Sequence, residues 1–115
     1  MGNIFGAENY DLETHIRRGD IVAVQASLRE GASLAHRNHY GWQALHWSSY
    51  KGNVELTKLF LDKGGDVLAV NNDGKQPIDI CGYDCRDKKE ILKCLAVLKE
   101  AIAQRRAQSY QQDYR

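Results

Sequence analysis

Long hydrophobic runs are missing from this 115-residue chain. No apolar stretch approaches the roughly 20 residues needed to cross a bilayer, so no transmembrane segment is expected. An excess of one charge is missing too: 16 Lys and Arg nearly balance 15 Asp and Glu, for a formal net charge of +1. Without a basic footprint, phosphate-backbone binding has no electrostatic drive, and nucleic acid is not an expected partner. Proline is almost absent. Pro77 alone stands against ten glycines, a balance that suits helices punctuated by glycine turns better than a many-turned β-sandwich. Cysteine is sparse and odd in number, at three, and no basic n-region opens the sequence, because Glu8, Asp11 and Glu13 follow at once. Reduced thiols in a cytoplasmic setting are therefore expected. The length excludes a large catalytic barrel, but it is enough for one domain with a core independent of metals and disulfides.

What is present is a repeat. Gly19 and Gly52 lie 33 residues apart, as do Gly31 and Gly64, Gly41 and Gly74, Leu12 and Leu45, Leu28 and Leu61, and Tyr50 and Tyr83. A fixed period of this size marks stacked supersecondary units, each unable to bury its apolar face alone. The fullest unit runs from Asn38 to Asp66. Its spacing predicts a short helix from Gln43 to Lys51 with small residues such as Ser48 and Ser49 for close packing. A glycine stop follows at Gly52, then a second helix from Val54 to Lys63 with Val54, Leu56, Leu59, Phe60 and Leu61 on its apolar stripe. Asn71-Asn72-Asp73-Gly74 is a dense turn signal leading into the next unit.

These residues resemble the ankyrin repeat. Leu45-His46 matches its Leu-His pair, and Gly41, Gly52, Gly64 and Asp66 fall on its marker positions, while Gln43-Ala44 replace its Thr-Pro and Asn53 replaces the histidine after its glycine. A preceding copy has Arg18-Gly19-Asp20 and Glu30-Gly31-Ala32 at its two turns and a polar first helix, as suits a cap facing water. A following copy begins at Gly74-Lys75-Gln76-Pro77, keeps the proline and lacks the expected inter-helix glycine. Its outer helix aligns only with about two inserted residues between Tyr83 and Lys88. The resemblance implies an all-α fold: a short solenoid of about three helix-turn-helix repeats with β-hairpin-like loops. The expected division is an extension at 1–8, repeats at 9–37, 38–70 and 71–98, and a helical extension at 99–115. Ile91, Leu95, Leu98 and Ile102 keep one apolar seam on a last helix that outlasts a normal repeat.

For function, the resemblance implies binding of a partner protein through hairpin tips and a concave groove. The protein would serve as a small adaptor, subunit or inhibitor within a larger assembly. On the matching positions the expected contacts are Tyr40, Trp42, Tyr50, Lys51, Lys75, Tyr83, Arg17, Arg18, Arg37 and His39. Rigid aromatics are typical interface anchors. Trp42 and Trp47 have the alternative role of packing between repeats. His46, at the Leu-His position, is expected to tie adjacent turns together.

No nucleophile motif or phosphate-cradling loop is present, so neither enzyme activity nor a cofactor is expected. Cys81-x3-Cys85 with Cys94 has tolerable metal spacing but no placed fourth ligand, and buried, inert thiols are the expectation. A thiol- or metal-dependent catalyst is the remaining alternative class. Met1 to Gly6 resembles an N-myristoylation signal at Gly2, with Gly6 where Ser or Thr is preferred. One such chain gives only marginal membrane attachment. The competing functional expectation is a structural component of a cytoskeletal or ciliary assembly, held through the terminal extensions.

Overall fold

The computed structural model describes residues 7–113, and within them every regular element is helical. Five α-helices, α1 (Ala7–Arg18), α2 (Ile21–Arg29), α3 (Ala44–Tyr50), α4 (Val54–Asp62) and α5 (Lys88–Asp113), are joined by one 3-10 turn, Pro77–Ile80, between α4 and α5. The inner layer is α1, α3 and the 3-10 turn. The outer layer is α2, α4 and α5, each packed behind its inner partner. This is the solenoid of three units that the resemblance to ankyrin repeats implies.

Each outer helix starts in the same way. Asp20, Asn53 and Asp87 accept N–H bonds from Ala23, Leu56 and Lys89 at 3.0, 2.9 and 3.0 Å, satisfying amides that have no partner within a helix. The apolar stripes then meet in two clusters. Leu12, Ile16, Val24, Ala44, Leu45, Leu56 and Phe60 join the first unit to the second, and Val67, Cys81, Cys94, Leu98 and Ile102 form the core of the third. Leu61 packs against both and so links them.

Gly52 decides how closely the second and third units approach, and Gly82 how closely α5 lies on the loop of its own unit. Gly52 takes φ +64°, and a Cβ on it would lie 2.9 Å from Cβ and Sγ of Cys85. Gly82 takes φ +80°, and a Cβ there would lie 2.8 Å from the Ile91 side chain. Both positions need the left-handed region that glycine enters without penalty, and neither has room for a side chain.

Gly82 also corrects the reading of the third unit. The inter-helix glycine expected at position 85 is not lost; it stands three residues earlier, because the inner helix is a single 3-10 turn. Pro77 starts that turn, but Cys81 is already extended (φ −61°, ψ 125°), and Gly82 and Asp84 are poor helix formers. The amides released from the helix are used elsewhere. Gly82 N–H donates to the Ser49 carbonyl at 2.8 Å and Asp84 N–H to the Tyr50 carbonyl at 2.9 Å, capping the C-terminal end of α3 with the next unit's loop.

Candidate partner-binding face

The loops before α3 and before the 3-10 turn are built alike. In the first, Asn38 N–H donates to the Trp42 carbonyl (3.1 Å), and Asn38 Oδ1 accepts the N–H groups of Tyr40 and Trp42 (2.9 and 3.0 Å). In the second, Asn71 N–H donates to the Lys75 carbonyl (2.9 Å), and its Oδ1 accepts from Asp73 and Lys75 (2.9 and 3.0 Å). An Asn side chain bonded to its own backbone fixes a turn that would otherwise be loose. Asn72 then fastens one loop to the other: its N–H donates to the Tyr40 carbonyl (2.9 Å) and its Nδ2 to the His39 carbonyl (2.8 Å). Arg37 Nη2 donates to the Val70 carbonyl at 2.6 Å. The tips are hairpin-like turns without a strand among the described residues, and they form a braced row.

His46 ties this row to the inner helices, as expected of its position. Its Nδ1 accepts the Gln43 N–H at 3.1 Å, which places the ring proton on Nε2, 2.9 Å from the Lys75 carbonyl. Burial is the main cause that lowers its pKa. The hydrogen bond to the Lys75 carbonyl works against that shift, and the nearby Arg37 charge adds to it.

The two aromatics beside Gly41 go opposite ways. Tyr40 stands free, 72% exposed. Trp42 is half-buried and packs on Trp47 (ring centroids 4.7 Å apart) and edge-on to Tyr50 (5.1 Å), and Trp47 meets Tyr50 edge-on at 6.1 Å. Edge-to-face contacts of this kind hold rings in one orientation. Arg17 of α1 lies over the Trp47 ring, 5.3 Å from its centroid, so the first unit adds a cation to the aromatic wall. Tyr83, one repeat beyond Tyr50, is 73% exposed on the loop that caps α3.

The expected cations have different tasks. Lys51 pairs with Asp84 at 2.6 Å, and Arg37 is committed to Val70, so both brace neighbouring units. Arg18, His39 and Lys75 are exposed, and their side chains have no partner among the described residues. Asp84 and Asn38 are contributors that the sequence reading missed, although a signal existed. Lys51 to Asp84, Arg37 to Val70 and His39 to Asn72 are each 33 residues apart, the repeat period itself. Gly2, the expected lipidation position, lies outside the described residues.

Among the described residues, no three His, Cys, Asp or Glu side chains converge as metal ligands, and no helix is long and apolar enough to cross a membrane. Cys81 and Cys94 are buried and Cys85 is half-buried, all as free thiols. A hydrogen bond with Cys94, and then burial, push the Cys81 thiol well above its ordinary pKa.

A family model described as ankyrin repeats (3 copies) matches residues 12–106. The chain belongs to the ankyrin-repeat family. Ankyrin repeats are protein–protein interaction modules. This ankyrin-repeat protein is 35% identical over 92 residues to the ankyrin repeat, SAM and basic leucine zipper domain-containing protein 1 of Mustela putorius furo, with 79% of this chain and 19% of that protein covered. It is 28% identical over 82 residues to protein phosphatase 1 regulatory subunit 27 of Mus musculus, with 71% of this chain and 53% of that protein covered. The ankyrin-repeat chain thus spans about a fifth of the first relative and half of the second.

Proposed function

We propose that this ankyrin-repeat protein is a non-enzymatic binding subunit or adaptor that grips a partner protein along its hairpin tips and concave face. The observation that carries this reading is the pairing of Tyr40 and Tyr83, exposed at 72% and 73%, with a packed Trp42–Trp47–Tyr50 wall. Large rings left in water on a hydrogen-bonded support lose little conformational freedom on binding and bury much area. Arg18, His39 and Lys75 supply polar contacts at the rim. The mouse relative is named as a regulatory subunit, and a regulatory or adaptor role within a larger assembly is the form of activity this reading favours.

The test is affinity purification of the full chain from its native cell, followed by quantitative identification of the chains that come with it. Tyr40→Ala with Tyr83→Ala should remove the principal partner while the helical circular dichroism stays unchanged. Retention of that partner would refute the reading. Loss only on removal of residues 104–115 would favour a structural protein held by its extension.

A further inference from the structure

The third unit ends on a face that the first two units cover. Counting from the N-caps Asp20, Asn53 and Asp87, the fourth residue of each outer helix is Val24, Thr57 and Ile91. Val24 and Thr57 are fully buried, and Thr57 Oγ1 lies 3.5 Å from Cys94 Sγ of the following unit; Ile91 is only half-buried. The fifth residue is exposed in all three, and two units place polar side chains there, Gln25 and Lys58. The third places Leu92, left 65% exposed. Leu92 is thus an exposed apolar residue at a position that the other two units keep polar, and the charges beside it decide what could cover it.

The charge around it has one sign. Lys88, Leu92, Leu95, Lys99, Ile102 and Arg106 follow at intervals of four, three, four, three and four, which aligns them along one edge of α5, where Leu92 is exposed, Leu95 is half-buried and Ile102 is buried in the core of its own unit. Between Lys88 and Arg106 that edge has cations at both ends and in the middle, and no acid. The side chains of Lys88, Lys99 and Arg106 have no partner among the described residues. Beyond Ile102, the last buried residue among those described, α5 continues to Asp113 with its described side chains exposed, so the helix extends past the core of its own unit. A helix without a packed face is marginal in water, and a neighbour along this edge would stabilise it.

We propose that this edge of α5 docks a helix of a partner protein whose apolar seam is flanked by Asp and Glu, seated where the outer helix of a further repeat would lie. The occupant continues the repeat-to-repeat packing already present between α4 and α5. A second copy of this chain does not fit, because a two-fold contact would set the cations of one edge against those of the other. This surface is separate from the concave face and stands or falls apart from it.

The probe is a synthetic helix-forming peptide of about 20 residues, long enough to form a helix. Leucines at positions i, i+4 and i+7 are flanked by glutamates, and a counterpart carries lysine for every glutamate. Added to the isotope-labelled full chain, the acidic peptide should shift amide resonances between residues 88 and 106 and leave Tyr40 and Tyr83 unmoved. Lys99→Glu with Arg106→Glu should weaken it about tenfold or more and transfer the preference to the basic peptide, since two attractions become repulsions. Leu92→Glu, at an exposed position, should weaken the acidic peptide without changing the melting of the protein. Equal binding of the two peptides, shifts confined to the concave face, or no shift along α5 would each overturn the proposal.

Discussion

Acid should loosen this protein through one side chain. His46 is fully buried, with Nδ1 accepting from Gln43 and Nε2 donating to the Lys75 carbonyl. Protonation must place a second ring N–H against the Gln43 N–H in a buried site, and burial accordingly lowers the folded-state pKa from the ordinary 6.5. The unfolded chain then binds the proton more readily than the folded one. Stability from this source is fully present above about pH 6.5 and is lost as pH falls from there toward the folded-state pKa. The slope approaches about 1.4 kcal/mol per pH unit. With a urea dependence of about 1–3 kcal/mol per molar, the unfolding midpoint should drop by about 0.5–1.4 M for each pH unit in that window. Tryptophan fluorescence reports the transition directly, because Trp42 lies 6.0 Å from His46 and packs on Trp47. In His46→Gln, which cannot titrate, the midpoint at pH 7.5 should be lower and the slope below pH 6.5 reduced. A wild-type midpoint that is flat or rises on acidification, or a variant that keeps the full slope, would refute the reasoning.

Other perturbations follow from the same contacts. Gly52→Ala should cost about 2–4 kcal/mol, from the left-handed backbone and from the close approach of Cys85, with part recovered by Cys85→Gly; equilibrium denaturation measures both. Iodoacetamide at pH 7.5 should label half-buried Cys85 before Cys81, whose thiol is held protonated by Cys94 and burial. Cys81 labelled as fast as Cys85 in native protein would contradict that order, which mass spectrometry can read. Tyr40→Ala and Tyr83→Ala should each change the unfolding free energy by less than about 0.5 kcal/mol, whereas Trp42→Ala should cost about 2 kcal/mol or more.

Much of the fold was legible because its determinants are local and periodic. The six glycines at 33-residue spacing all occupy left-handed backbone, and the helices predicted at 43–51 and 54–63 form at Ala44–Tyr50 and Val54–Asp62. The third unit was harder. A 3-10 turn in place of an inner helix is stabilised by bonds from Gly82 and Asp84 to carbonyls of α3, and such long-range acceptors leave no local pattern. The candidate face divides in the same way. Aromatic identity was visible in the sequence, but which ring points outward was not. Trp42 turns inward because Trp47 and Tyr50 wait one and two turns along α3, while Tyr40, two residues away, has no such neighbours. Lys51 and Arg37 were read as contact residues, and their partners Asp84 and Val70 explain why both also serve as braces between units.

The central claim is that the partner lies against the tips and concave face. A photo-crosslinking amino acid placed at Tyr40, with a second preparation carrying it at exposed Lys63 beyond α4, tests this directly in the native cell. The account predicts a covalent adduct with one partner chain from position 40 and none from position 63. An adduct from position 63 alone, with position 40 silent, would contradict it.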